Sequence, residues 1–247
     1  MPAKAATRKL SPARRERPAR VPTTIKSPER VARRRAELID VATRMFLERG
    51  FHNTSIRDIV RACTFNVASL YMYVSCKEDI LYLVAQDLMN SIAERLAEAE
   101  LDPASPERSL EIGFTSYCQI AYKFRRRIRL LYREVGFLPP EPRANVIATV
   151  SSVISYFEAI VAEGIEAGVF RKVPPRLAGL DVMFISHMIA LHTREVRNLV
   201  NLDDFIKYQL DSIFAGLLVN PEKRRSGGTR KRMVASAVRV AKRTRAR

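Results

Sequence analysis

From Ser27 to Val219 the apolar residues recur at three- and four-residue spacing, a period that only the α-helix satisfies over such a length. Strand signals are nearly absent: there is no convincing alternation with period two and no Asn-Gly or Asp-Gly hairpin pair. The expected fold class is all-α. Ser27-Pro28-Glu29 reads as a helix start, a capping residue followed by proline at the first helical position, and Gly50 reads as its stop. Thr54 and Ser55 open a short helix with Asp58 placed to complete a capping box on Ser55. Asn66 can cap a third short helix running to Tyr73. Ser75 with Glu78 is read as the cap of a long helix whose buried face holds Leu81, Val84, Leu88, Ile92 and Leu96.

Beyond Asp102-Pro103 the pattern restarts. Ser105-Pro106-Glu107 opens a helix to about Tyr122, which residues 125–135 either continue or follow as a separate helix. Residues 136–142 hold three prolines and are expected to form a loop. A long apolar helix then runs to Ala167 and stops at Gly168. Pro174-Pro175 opens a helix that is apolar on two sides: Leu180, Met183, Phe184, His187 and Leu191 on one, Val182, Ile185, Ile189, His192 and Val196 on the other. One side of such a helix can face the core and the other a subunit interface. A last helix spans 203–219.

Charge divides the chain differently. The 247 residues carry a formal net charge of +17, and it sits at the two ends. Residues 1–35 and residues 221–247 each carry a net +10, while the stretch between them is slightly acidic. Both arms lack aromatic residues, so neither can bury much by itself. Cationic arms of this kind fit a polyanion, through counterion release from nucleic acid or attraction to anionic lipid. The C-terminal arm, with Met233-Val234 and Val238-Arg239-Val240, fits an amphipathic helix on DNA equally with a non-specific clamp. Three cysteines and no signal-peptide pattern point to a reduced, cytoplasmic setting, and no uninterrupted run of about 18 apolar residues suggests a membrane span. The expected organisation is a basic arm over 1–27, a DNA-binding unit over 28–75, a helical body over 76–220 and a basic tail over 221–247.

Three short helices with a turn between the second and third are the layout of a helix-turn-helix DNA reader. Residues 51–78, FHNTSIRDIVRACTFNVASLYMYVSCKE, resemble the DNA-binding domain of TetR-family transcriptional regulators. Gly50-Phe51, Thr54-Ser55-Ile56, Asp58-Ile59, Ala62, Leu70-Tyr71, Tyr73 and Lys77-Glu78 carry the resemblance. At the turn this chain has Cys63-Thr64-Phe65-Asn66 where the family usually has Ala-Gly-Val-Ser, so Thr64 stands in the place of a glycine.

The resemblance implies roles for individual residues. Arg57 reaches either a guanine edge or a phosphate. Asn66 caps the recognition helix, and Val67, Ala68 and Ser69 face bases. Thr54, Ser55, Tyr71, Tyr73 and Lys77 hold phosphates, with packing beneath the helix the alternative for the tyrosines. Ile59, Phe65 and Leu70 belong to the small core. The resemblance further implies homodimerisation through the last two helices and a small-molecule effector pocket, for which Phe114, Tyr117, Tyr132, Phe137, Tyr156, Phe157 and His187 are candidates. Each of these can equally be plain core. Lys123, Arg125, Arg126, Arg127 and Arg129 fit the acidic head group of an acyl-CoA-like ligand, or a solvated face near DNA.

Enzyme chemistry finds little support. His187 and His192 are five apart and share no metal-binding helix face, and there is no glycine-rich phosphate loop or Cys-x-x-Cys pair. No metal or cofactor is expected. Cys63 and Cys76 flank the recognition helix, a placement that suits a redox switch less well than ordinary packing. The expected function is a sequence-specific regulator, most simply a ligand-released repressor of a palindromic operator. Its rivals are an architectural protein that coats DNA through its arms, and an enzyme of lipid metabolism.

Overall fold

A computed structural model describes residues 27–64, 70–71 and 74–221. The two basic arms, and Phe65, Asn66, Val67, Ala68, Ser69, Met72 and Tyr73, therefore lie outside the described residues. Nine α-helices are present among those described: α1 (Pro28–Arg49), α2 (Ile56–Arg61), α3 (Lys77–Ala97), α4 (Pro106–Lys123), α5 (Arg125–Glu134), α6 (Pro140–Glu166), α7 (Pro175–Leu191), α8 (Thr193–Leu199) and α9 (Leu202–Leu217). An antiparallel bridge, Phe170 with Leu218, ties the α6–α7 link to the end of α9.

Most helix boundaries follow local chemistry. Gly50 ends α1 at φ +85°, a left-handed conformation that suits a residue without Cβ. The Ser55–Asp58 capping box forms as expected, with the Ser55 hydroxyl accepting from the Asp58 amide and the Asp58 carboxylate accepting from the Ser55 amide. Ser105 caps α4 through the Arg108 amide.

Three expectations need correction. The cap of α3 sits one residue later than Ser75: Asp79, not Glu78, reaches back to the amides of Ser75 and Cys76. The proline-rich stretch is mostly not a loop. A short 3-10 turn, residues 135–137, follows α5, and α6 then begins at Pro140. Pro140 and Pro142 occupy its first turn, where the amide that proline lacks would have had no helical partner. Finally, α6 meets the length and composition required to cross a bilayer, with a mean hydropathy of 1.5 over 18 residues. Asn145, Thr149, Ser151, Ser152 and Ser155 break the continuous apolar run but leave the average this high. In the fold its Val153, Ile154, Phe157, Ile160 and Val161 are buried against neighbouring helices.

α6 and α7 make the most extensive helix pair. They touch backbone to backbone at Gly179, where a Cβ would lie 2.7 Å from the Ile154 carbonyl oxygen. α4 packs on both, and α5 lies against α7. At the other end α1 packs on α2, α3 and α5, so one continuous apolar core runs from Leu38 to Leu218. The two-sided reading of α7 is right in kind but not in registry. His187 is buried together with Val182 and Ile189, while Leu177, Phe184 and Met188 face outward and His192 is exposed at its end.

Candidate DNA-binding unit and effector centre

The DNA-binding unit rests on Phe46, Phe51, Ile59 and Leu70, all buried. Ser55 and Arg57 are exposed at the start of α2, and the Tyr71 ring is 55% exposed, so all three are open to a phosphate or base edge. Thr54 is not. It is 1% exposed, and its hydroxyl donates to the Gly50 carbonyl at 2.8 Å, fastening the α1–α2 link. Buried, and with its proton already donated to Gly50, that hydroxyl is not available to a phosphate, which corrects its assignment. Lys77 also works inward. Its ammonium donates to the carbonyls of Phe51 (2.6 Å) and His52 (3.3 Å) and lies 4.4 Å from the centre of the Phe51 ring.

The turn is held by a residue that pattern reading passed over. Glu37 on α1 accepts from the Thr64 amide and, at 2.8 Å, from the Thr64 hydroxyl. No described residue other than glycine has positive φ. Thr64 thus replaces the family's glycine without left-handed strain and gains a carboxylate anchor that glycine could use only through its amide. The turn cysteine Cys63 is half-buried, and burial pushes its thiol up to about 11; the Cys76 thiol is also raised, chiefly by burial. Neither has the depressed value of a reactive thiolate.

The basic cluster after α4 divides. Arg127 bridges to the DNA-binding unit: its guanidinium pairs with Asp40 on α1 at 2.9 Å and with Asp87 on α3, and it stacks on Phe124. Arg126 reaches Glu48 of α1 at 4.0 Å. Arg125 instead lies over the Tyr122 ring, 4.7 Å from its centroid. Arg129 is half-buried, with an Nε–H that is buried and makes no hydrogen bond with the described residues.

Five of the seven pocket candidates come together in the body. Tyr117 on α4 and Tyr132 on α5 hydrogen-bond opposite nitrogens of His187 on α7, Tyr117 to Nε2 at 2.8 Å and Tyr132 to Nδ1 at 2.7 Å. Phe157 meets Tyr117 edge-on, and Tyr156 meets Phe157 at 85°. The Tyr156 hydroxyl is buried without a hydrogen bond among the described residues, 3.0 Å from where a Cβ on Gly113 would stand. Burial pushes His187 down to about 4, so the imidazole is neutral, and raises the phenols of Tyr117, Tyr132 and Tyr156. Phe114 is fully buried core on α4. Phe137 does not join this centre. It stacks on Phe51 at 5.5 Å and meets His52 edge-on at 4.3 Å, because the 3-10 turn swings it toward the α1–α2 link.

Two family models match the chain. Residues 38–82 match the model of bacterial regulatory proteins of the tetR family, and residues 103–191 match a tetracyclin repressor-like C-terminal domain. The chain belongs to the TetR family. It is accordingly a transcription regulator rather than an enzyme, with a DNA-binding helix-turn-helix unit and a ligand-binding C-terminal domain. The HTH-type transcriptional regulator HbdR of Aromatoleum sp. (strain CIB) is 23% identical over 171 residues, covering 69% of this chain and 75% of its own. The structure of the TetR-family regulator PfmR from Thermus thermophilus superposes with a TM-score of 0.66 at 24% identity, over 72% of this chain and 97% of PfmR. AibR in complex with isovaleryl coenzyme A and operator DNA superposes with a TM-score of 0.64 at 18% identity, over 73% of this chain and 98% of AibR.

Proposed function

We propose that this TetR-family protein is a cytoplasmic, ligand-released repressor that binds a palindromic operator as a homodimer. Residues 28–75 serve as the DNA-binding unit and 76–220 as the effector and dimerisation body. The observation that carries the reading is the position of α5. Tyr132 joins it to the aromatic centre, while Arg127, earlier on the same helix, joins it to α1 and α3. A ligand that displaces α5 therefore acts on the DNA-binding unit through existing contacts, and it lowers DNA affinity by its preference for the displaced state.

The dimer surface is assigned to α7 and α9. Leu177, Phe184 and Met188 form an exposed apolar stripe on α7, and Tyr208 is exposed on α9; the side chain of Gln209 reaches the Met188 sulfur at 3.8 Å. Such a stripe needs a partner, and a two-fold pairing there would set two recognition helices about one DNA turn apart, roughly 34 Å. The DNA contacts are assigned to Ser55, Arg57, Asn66, Val67, Ala68, Ser69, Tyr71 and Tyr73. The effector site is assigned to Tyr117, Tyr132, Tyr156, Phe157 and His187, with an apolar or acyl-CoA-like effector, a class supported by the AibR complex. The test is a random-DNA selection with the full chain, followed by release from the enriched site with acyl-CoAs of graded chain length. A shared palindrome and length-dependent release are expected. Enrichment of no site, or binding lost when the arms are removed, would leave the protein a coater of DNA.

A further inference from the structure

At the aromatic centre the hydrogen bonds fix where the protons lie. The Tyr117 ring is 2% exposed and its hydroxyl has a single partner, His187 Nε2. Burial makes an undonated phenol proton costly, and His187 Nε2 is the acceptor that the Tyr117 hydroxyl has in reach. Nε2 is then unprotonated, the proton of the neutral imidazole is on Nδ1, and Nδ1–H donates to the Tyr132 oxygen. The reverse tautomer would aim Nε2–H at Tyr117 and leave the Tyr117 proton with no acceptor. In the favoured arrangement the proton left over belongs to Tyr132, whose ring is 46% exposed. The relay therefore ends in an O–H donor at the edge of the centre.

Two further donors are unmatched. Arg129, three residues before Tyr132 and so on the same face of α5, has a buried Nε–H without an acceptor. Tyr156 has a buried hydroxyl without a partner, linked to the relay by successive ring contacts through Phe157 and Tyr117. No side-chain acceptor is left buried and unpaired without also being a donor among the described residues. We infer that the effector presents an acceptor-only head, a carboxylate or the carbonyl of a thioester, to the Arg129 Nε–H and the Tyr132 hydroxyl on one face of α5, with its apolar part along the rings that lead from Tyr132 toward Tyr156. Cationic and donor-rich heads fit worse, since they would add donors beside the Arg129 guanidinium. This deepens the effector reading above and rests on it for the location of the site.

Two measurements on the full chain test the inference. The first is the His187 tautomer by nitrogen-15 NMR at neutral pH, which needs no effector. Protonation at Nδ1 alone is expected; an Nε2–H tautomer or an imidazolium overturns the relay. The second is calorimetric titration with sodium decanoate, decanoyl-CoA and decyltrimethylammonium. Binding of decanoate or decanoyl-CoA, and not of the ammonium, is expected, and which of the two binds decides between a free acid and a thioester. Tyr132→Phe and Arg129→Met should each weaken that binding by about tenfold or more, since each removes one hydrogen bond to a charged or strongly polar acceptor. Equal or tighter binding of the ammonium, unchanged affinity in both variants, or binding of none of the three at millimolar concentration overturns it. Head-selective binding that does not release DNA would sink the proposed regulation while leaving the site and its chemistry standing.

Discussion

Phe137 stacks on Phe51 with ring centroids 5.5 Å apart and planes 11° from parallel. The pair joins the turn that leaves α5 to the link between α1 and α2. Five residues earlier, Tyr132 holds His187. The α5 segment and the turn after it thus touch the aromatic centre at one contact and the DNA-binding unit at another. Phe137 is 41% exposed, and the Phe51 stack and the His52 edge contact hold its ring. Phe137→Ala should cost about 1–2 kcal/mol in stability and weaken the effector's grip on DNA affinity. Thermal unfolding and effector titrations of DNA release measure the two effects, and an unchanged midpoint with an unchanged effector response would falsify the role.

Arg127 makes a second link, and its two aspartate partners should contribute unequally. Its side chain is 14% exposed, whereas Asp87 and Asp40 are 39% and 74% exposed. Screening therefore weakens the Asp40 arm most. Asp40→Asn should cost under about 0.5 kcal/mol, and Asp87→Asn or Arg127→Met about 1–2 kcal/mol. Urea unfolding of the three variants at low and high salt gives the comparison; equal losses for the two aspartates would refute the ranking.

Glu37 anchors the turn ahead of the recognition helix from 27 residues away. Glu37→Ala leaves the Thr64 amide and hydroxyl to water and loosens the turn. Operator affinity should fall about five- to tenfold, corresponding to roughly 1 kcal/mol, with global stability little changed. Gel-shift titration against the selected site provides the check, and Thr64→Gly, which keeps the amide contact, should retain most of the affinity.

His187 makes folding sensitive to acid. Its folded value of about 4 lies below its ordinary value of 6.5 because burial disfavours the imidazolium. Above pH 6.5 neither state is protonated there and stability is fully present. As pH falls from 6.5 toward 4 the unfolded chain takes up a proton that the folded chain refuses, and stability drops by up to about 3 kcal/mol. Denaturant unfolding at pH 7.5 and pH 5 should show the loss, and His187→Gln should flatten it. An equal slope in that variant would assign the acid sensitivity elsewhere.

The arms should supply non-specific affinity. Trimming the chain to residues 27–221 removes most of the two +10 segments. The dependence of DNA affinity on salt should become shallower by several units of slope, with the preferred sequence retained. Binding measured from about 50 to 200 mM salt decides it, and a lost sequence preference would favour the architectural rival.

Much of the helical frame was legible because capping is local chemistry. Ser27-Pro28, Gly50, Ser55 with Asp58, Ser105-Pro106, Gly168 and Pro175 each mark a boundary that formed within a residue or so of its reading. Errors arose where local signals were ambiguous. Three prolines read as a loop, although two of them fit the first turn of α6. The aromatic centre was legible in part because Tyr117, Tyr156, Phe157 and His187 sit on strongly apolar helix faces. Phe137 carries the same chemistry, but its direction depends on a 3-10 turn that composition does not encode. Thr54 was misassigned for a similar reason: motif position cannot tell a hydroxyl facing DNA from one facing the Gly50 carbonyl.

By itself the sequence determined the helical class, the segregation of charge into two arms and the helix-turn-helix signature, since each depends on neighbours within a few residues along the chain. Only the tertiary structure decided the long-range pairings. Arg127 with Asp40 spans 87 positions, Tyr117 with His187 spans 70, and Thr64 with Glu37 spans 27. Their donors and acceptors are matched by helix packing, and no local period records which charged or polar residue a distant helix will bring within hydrogen-bonding reach.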